Sequence, residues 1–344
     1  MARFAFTPLT RRRLARFRAN RRGYWSLWIF LGLFGLSLFA EVIANDRPLY
    51  IGMEGTHYFP VVVDYTETEL GGDFETSADF TAPFLMDLLK EKGATVIWPL
   101  IPFSWDTVVR DVAPYPAPPS AINWLGTDND GHDIVATLIY GFRISILFGL
   151  ALTALASVVG VLAGLLQGYL GGLTDLLMQR FIEIWSGMPT LYLLIILSSV
   201  IEPNFLWLLG IMLLFSWMEL VGLVRAEALR ARNFDYVRAA RALGLSDIRI
   251  MLRHVLPNTL VATITFLPFV MNGSISTLTS LDYLRVGLQQ SAPSLGKLLS
   301  QAKDLAMQAP WIPLSAFFTV ALLLSLLVFI GEATRDAFDP RRGP

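Results

Sequence analysis

Arg225-Ala-Glu-Ala-Leu-Arg-Ala-Arg-Asn-Phe-Asp-Tyr-Val-Arg-Ala-Ala-Arg-Ala-Leu-Gly244 and its continuation, Leu245-Ser-Asp-Ile-Arg-Ile-Met-Leu-Arg-His-Val-Leu-Pro257-Asn258, lie between two long apolar runs. The segment carries seven arginines against three acids, yet it is too ordered for a plain basic loop. Asp235 is positioned to N-cap a helix over 236–243, and Gly244 suits the left-handed residue that ends one. Ser246 is positioned to cap a second helix, with Asp247 in its first turn, where the dipole favours an acid. Pro257 marks a boundary before the next run. Two short helices joined at a glycine are therefore expected. Ala239 and Ala240 leave room for another surface to come close.

Outward from this elbow the chain is mostly apolar. Of its 344 residues 54% are hydrophobic and 16% charged, where soluble domains average about 25% charged. That balance excludes a disordered chain and argues against an ordinary soluble enzyme. The absence of cysteine excludes disulfides, thiolate zinc sites and thiol catalysis. Six runs reach about the 20 residues that cross a bilayer as helix: Tyr24–Ala44, Ile144–Gln167, Leu177–Ile201, Phe205–Val224, Thr259–Leu281 and Trp311–Gly331. Only Glu202, Pro203 and Asn204 separate the third and fourth, which predicts a hairpin. The fold class expected is an all-α membrane protein with six transmembrane helices.

Charge sets the expected orientation. Residues 1–23 hold eight arginines (3, 11, 12, 13, 16, 18, 21 and 22) and no acid, while 45–140 holds fifteen acids against four bases. Arg335, Arg341 and Arg342 end the chain. Because basic loops stay in the cytoplasm, 1–23 reads as a basic cytoplasmic N-terminus and 24–44 as the first span. Segment 45–143 reads as a periplasmic region and 144–333 as a transmembrane core with the cytoplasmic loop 225–258; 334–344 is a cytoplasmic tail. The first run exceeds the 7–15 residues of a signal-peptide core, so it reads as a retained anchor, with Trp25 and Trp28 at the interface. Segment 45–123 is long enough for a partly ordered outer platform, with short strands such as Ala94–Trp98.

Glu41, Arg180, Glu183 and Glu219 fall inside the runs, each within about six residues of an end, or roughly 9 Å at 1.5 Å per residue. Such placement favours pairing or snorkelling over an ion relay for Glu41 and Glu219; Arg180 and Glu183, which can pair at i, i+3, fit either. Asn272, Gly273, Ser274, Ser276, Thr277, Thr279 and Ser280 crowd one run. They read either as close helix packing or as a wet path for a polar solute, with Glu183, Asn272, Ser276 and Thr279 as the path candidates. Gly296-Lys297-Leu298 lacks the Ser or Thr and the leading glycine of a P-loop. In Thr127–Asp133 a calcium loop is disfavoured, because Ile139 stands where an EF-hand needs Glu; Asp128 or Asp130 there is expected to begin a short amphipathic helix. His57, His132 and His254 fall in separate segments, so neither a metal site nor a catalytic site is expected.

Arg238-Ala239-Ala240-x3-Gly244 followed by Leu256-Pro257 resembles the EAA loop of ABC importer permeases. Tyr236-Val-Arg-Ala-Ala-Arg-Ala-Leu-Gly244 and Arg253-His-Val-Leu-Pro-Asn258 resemble more specifically dipeptide and oligopeptide importer permeases, and the long segment 45–123 resembles the extra outer region of their microcin C and oligopeptide branch. Leu125-Gly-Thr-Asp128, Tyr140-Gly-x-Arg143, Gly168-Tyr-Leu-Gly-Gly-Leu-Thr-Asp175, Arg180-x-x-Glu183 with Pro189, and Arg335-Asp-Ala-Phe-Asp-Pro340 agree in order and place. The departures are Arg238 for the loop's usual first Glu, His254 for its late Ile, Arg285 for a small residue after the fifth span, and the long segment 45–123.

The resemblance implies a type I importer permease, a C-type subunit of the bacterial inner membrane with both termini cytoplasmic, forming half of a pathway for peptides. It implies a second homologous permease, two cytoplasmic ABC ATPase subunits that hold the ATP and Mg, and a periplasmic or extracellular peptide-binding protein, with no cofactor and no nucleic acid on this chain. Phe234, Tyr236, Val237, Arg238, Ala239, Ala240, Arg241, Leu243 and Gly244 are the residues expected to couple to an ATPase. An ion-coupled carrier or channel working alone is the alternative; it needs ionisable groups near the midplane.

Overall fold

The computed structural model describes residues 8–53, 55–289 and 291–339. Arg3, Pro340, Arg341 and Arg342 lie outside them. In chain order, α1 (Pro8–Ala19), α2 (Arg21–Leu38) and the short α3 (Ala40–Ile43) lead to β1 (Tyr50–Met53), β2 (Thr56–Tyr58), α4 (Pro83–Glu91) and β3 (Thr95–Ile97). The helical remainder is α5 (Ile134–Leu170), α6 (Gly172–Ser186), α7 (Thr190–Ser198), α8 (Phe205–Ser216), α9 (Met218–Ala231), α10 (Asp235–Ala242), α11 (Asp247–Ile250), α12 (Leu256–Tyr283), α13 (Leu295–Leu305) and α14 (Trp311–Phe338).

All six apolar runs are helical, but their limits and continuity differ from expectation. Four stretches are long and apolar enough to cross a membrane, 134–170, 205–231, 247–283 and 311–338; α6 and α7 make a fifth if taken as one span bent by 59°. The bend falls at Gly187–Pro189, where proline lacks an N–H and disfavours helix at the residue before it. Helix α2, 18 residues beginning with two arginines, stands apart from that set. No separate helix starts at Asp128 or Asp130. Instead α5 begins at Ile134, and Asp133 caps it by accepting from the Ala136 N–H at 2.8 Å. Pro257 is no boundary either. The π turn over Met251–Val255 lets the Leu256 N–H reach Met251 O, so α11 runs on into α12 with the proline in its first turn. Helix α13, outside the six apolar runs, starts at Ser294, whose Oγ accepts from Gly296 N and Lys297 N.

The chain forms two compact units. One comprises the residues up to 32, 145–290 and those from 321. Within it Gly160, Gly164 and Gly168 line one edge of α5 at four-residue spacing. A Cβ at Gly160 would lie 2.4 Å from Trp217 O, at Gly164 2.8 Å from Val221 O, and at Gly168 2.5 Å from Arg225 O. The glycines therefore let α5 and α9 touch backbone to backbone. The hairpin of the third and fourth runs is present: Asn204 caps α8 through Trp207 N at 2.9 Å, and Trp185 Nε1 donates to Leu214 O at 2.9 Å. The N-terminal helices lie along α14, with Arg16 donating to Asp339 O at 2.9 Å and Arg13 stacked 4.4 Å over Phe338.

The other unit comprises 33–144 and 291–320. Its antiparallel sheet has the order β2-β1-β3, with Ile51 opposite Tyr58 and Val96. The strand expected at Ala94–Trp98 is β3. Sheet and α4 enclose a core of Ile51, Met53, Leu70, Phe80, Leu85 and Leu89. A second core joins Ala40, Ala44, Ile101, Ala136 and Tyr140. Beside it Arg143 donates to both oxygens of Glu41 at 2.8 and 2.9 Å, the pairing expected for a charge at the end of a span.

Candidate functional site

Residues 232–255 form the elbow that leads from α9 into α12. Helix α10 ends on a full Schellman pair: Gly244 N–H donates to Arg241 O at 3.0 Å and Leu245 N–H to Ala240 O at 3.2 Å. Gly244 takes φ +75°, the left-handed conformation expected of it. The capping residues are not as expected. Phe234 occupies the N-cap position, and Asp235 is the first helical residue rather than the cap. Ser246 stands at the N-cap of α11 but bonds through its carbonyl to Ile250 N, not through its hydroxyl.

The elbow has an inner and an outer side. Val237 and Ala240, 0% and 5% exposed, pack with Leu165, Tyr169, Val224 and Ile250 of the chain's own core. Phe234, Tyr236, Arg238, Ala239, Arg241, Leu243 and Gly244 are exposed. The Phe234 and Tyr236 rings lie 5.7 Å apart, and Asn258 Nδ2 donates to the Tyr236 hydroxyl at 2.6 Å. Leu243 is 81% exposed.

Four residues outside the predicted set fasten the elbow to the end of α5 and the helix before it, α9, to α6. Tyr169 donates to Asp247 Oδ1 at 2.6 Å and accepts from Arg241 at 3.1 Å. That bond to Tyr169 is the main reason the Arg241 guanidinium titrates above its ordinary value. Arg225 grips both oxygens of Asp175 at 2.5 and 2.7 Å. The signal available in sequence was Arg225 following directly on an apolar run while Asp175 follows another.

The path candidates are scattered. Glu183 is exposed and pairs with Arg180 at 2.5 Å. Asn272 donates to Leu324 O at 2.8 Å, tying α12 to α14, and the buried Thr279 hydroxyl turns back to Ile275 O at 2.9 Å. Ser276 is half-buried and lies with Gly273, Thr277 and Ser280 on the more open face of α12. Glu219 lies in the first turn of α9, inside the continuous helical stretch 205–231 rather than near the end of that stretch. The helix continues seven residues past Val224 to Ala231, because Arg225 is neutralised by Asp175 and the rest are good helix formers. In the 27-residue stretch 205–231 Glu219 stands close to the middle.

In the second unit Asp128, Asp130 and His132 bring ligand atoms within 4.8 Å of one another. Those atoms already have partners. Asp128 Oδ1 accepts from Asp130 N at 2.9 Å and His132 N at 2.8 Å, Gln301 donates to its Oδ2 at 3.2 Å, and Lys297 lies 3.4 Å from Asp130. The loop is a self-satisfied turn. Burial raises the Asp128 carboxyl, but the His132 and Gln301 bonds outweigh it and hold it below the ordinary value. Asp133 is raised, because burial outweighs its bonds from Asn123 and the start of α5.

A family model described as binding-protein-dependent transport system inner membrane component matches residues 158–344. The chain is 59% identical, over 98% of both sequences, to the inner membrane ABC transporter permease protein YejE of Escherichia coli K12. It is 53% identical to the peptidoglycan transport system permease protein YejE of Agrobacterium fabrum, over 98% of this chain and 94% of that one. The oligopeptide transport system permease protein OppC of Lactococcus lactis IL1403 is 34% identical over 66% of this chain and 79% of its own.

Proposed function

The chain belongs to the family of binding-protein-dependent transport system inner membrane components, and from that premise we propose that it is one permease of an ATP-driven importer of peptides. Relatives named for oligopeptide, dipeptide and peptidoglycan transport support peptides as cargo, cell-wall peptides among them. In this reading a second homologous permease completes the pathway. Two cytoplasmic ATPases bind the ATP and Mg, a peptide-binding protein delivers from the outer side, and both termini face the cytoplasm.

The observation that carries the reading is the two-sided elbow. Val237 and Ala240 anchor α10 to its own chain, while Phe234, Tyr236 and Leu243 present apolar surface outward from a rigid, capped helix. Apolar and aromatic anchors of this kind supply most of the energy at a docking interface. Arg238 and Arg241 add rim charge, and Ala239 and Gly244 keep the approach open. The carbonyl bonds at Gly244 and the Tyr169 and Asp175 contacts then carry a push on α10 into α5 and α6. The pathway lies along α12, with Ser276 on its surface, Thr279 turned back on the helix and Asn272 tying it to α14; Glu183 lies at the mouth with Arg180.

Leu243→Asp tests the reading, since Leu243 touches little of its own chain. Membrane insertion and pairing with the second permease are expected to persist, while copurification of the ATPases and ATP-driven uptake are lost. Uptake by the purified chain without ATPases would favour the ion-coupled carrier instead.

A further inference from the structure

The carboxylate of Glu219 has a setting that the coupling mechanism does not use. It stands inside the apolar part, 205–224, of the helical stretch 205–231, at the start of α9 just after Trp217 and six residues before Arg225. A charge inside the apolar part of a span is costly in lipid, most of all at the centre, and is kept where it meets water or an opposite charge. Among the described residues no hydrogen bond or ion pair reaches it. The nearest cation along α9, Arg225, is committed to Asp175.

The surface around it is open. Residues 217, 220, 221 and 224 of α9 face the glycine edge of α5, which leaves Glu219, Gly222 and Ala226 on the exposed side at i, i+3 and i+7. A Cβ at Gly222 would meet nothing within 4 Å. Across from it is α12: a Cβ at Gly273 would lie 3.8 Å from Glu219 Oε1. Gly273 begins the face that continues through Ser276, Thr277 and Ser280. Side chains this small leave space beside the one carboxylate.

We propose that Glu219 is a subsite of the pathway that receives the side-chain ammonium of a lysyl residue in the passing peptide. The inference rests on the importer reading above. The carboxylate supplies the opposite charge, while the hydroxyls of α12 and the open backbone beside Gly222 leave room for hydrated cargo. An ammonium group, with three rotatable donors on a flexible stem, can meet a carboxylate that no neighbour orients, whereas a guanidinium gains its advantage only where both carboxylate oxygens are held to match its fork.

The test uses the assembled transporter in proteoliposomes, with saturating binding protein loaded with Ala-Lys-Ala or with Ala-norleucine-Ala. The wild type is expected to import the lysyl peptide about threefold to tenfold faster, the range for a charge-assisted contact from half-hydrated to dry. Glu219→Gln should abolish that ratio and keep norleucyl uptake, and Glu219→Asp should retain most of it. An equal preference in wild type and Glu219→Gln overturns the proposal. So does a wild type with no preference, or an equal loss of both cargoes. Reduced recovery of the second permease with Glu219→Gln also overturns it, by assigning the carboxylate to a subunit contact. Absence of any ATP-driven uptake by the wild type would instead overturn the importer reading itself.

Discussion

At the scale of single residues the same turn occurs twice with different side chains. Gly244 ends α10 at φ +75°, and Arg285 ends α12 at φ +61° with the matching bonds, Arg285 N–H to Asp282 O and Val286 N–H to Leu281 O. An L side chain in that region costs about 1–2 kcal/mol, so the two positions respond oppositely to exchange. Gly244→Val meets no crowding, since nothing lies within 4 Å, and acts through backbone strain alone. It should loosen the elbow by about 1–2 kcal/mol, lowering ATP-driven uptake while insertion stays normal; hydrogen exchange of 240–250 should rise. Normal uptake with normal exchange would remove Gly244 from the coupling device. Arg285→Gly should stabilise the end of α12 by roughly 1 kcal/mol, read as a higher unfolding temperature in detergent. The Asp128 turn adds a pH dependence with a definite sign. Its carboxyl lies below its ordinary 3.8 when folded, so the native state holds fewer protons than the unfolded one and stability rises with pH. That stability is complete above the ordinary value and is lost as pH falls through the lowered one. Asp133, raised by burial, works in reverse, losing stability as pH climbs from 3.8 through its higher value. Denaturation between pH 2 and 6 should therefore show an acid loss in the wild type that Asp128→Asn makes smaller, with the share owed to Asp175, held low by Arg225, remaining. An unchanged acid limb in Asp128→Asn would refute this assignment.

At the scale of elements, the glycine edge of α5 makes a steric prediction. Gly164→Leu puts a Cβ 2.8 Å from Val221 O and a branched side chain beyond it, and neither backbone can yield without separating α5 from α9. Overpacking of this kind costs about 1–3 kcal/mol, and here it should also shift Arg225 away from Asp175. Gly172→Leu, at a position with nothing within 4 Å, measures the strain of a left-handed residue without the clash; similar losses in the two variants would argue against the packed edge. This ridge was legible in the four-residue spacing of Gly160, Gly164 and Gly168, but only as one of many glycine patterns in apolar runs. Hydropathy located the spans because a run of about 20 apolar residues has few other uses. It misplaced their ends, because polarity stops a hydropathy run and does not stop a helix. Arg225 to Ala231 continue α9 once Asp175 neutralises the first arginine. That partner lies 50 residues away and is invisible to local reading. The same extension takes α9 seven residues past Val224, where the apolar run that holds Glu219 ends. Of the elbow, the glycine and the helix pair were legible from turn chemistry. Which residues point inward was not, since Val237 and Ala240 alternate with exposed neighbours and burial depends on α5 and α9.

At the scale of the whole molecule, family membership and the elbow account for residues from α5 onward, and the segment between α3 and α5 needs its own account. Its acids, prolines and tryptophans were readable as a folded insertion, and β3 falls within the strand expected there; the sheet order was not readable, because β1 pairs with a strand some 45 residues later. The insertion is built to be removable. Tyr50 pairs with Ile97 and Leu49 N–H donates to Ile97 O at 2.8 Å, so the chain enters and leaves at one point. Ile51, Leu70, Leu85 and Leu89 form a core distinct from that of Ala40, Ala44, Ile101 and Tyr140, which stays behind. Replacing 50–97 by a short Gly-Ser linker should therefore leave Tyr140 bonded to Ala44 O and Arg143 to Glu41. Insertion, pairing with the second permease and copurification of the ATPases should persist. If the segment is the platform on which the binding protein lands, as its exposed Val62, Phe74, Phe84 and Leu100 suggest for a surface that meets another protein, uptake dependent on that protein should fall at least tenfold while ATPase assembly is untouched. Uptake at the wild-type rate would retire the platform. Loss of ATPase copurification would instead make the insertion a structural brace for the first span, a role its separate core and single point of attachment argue against.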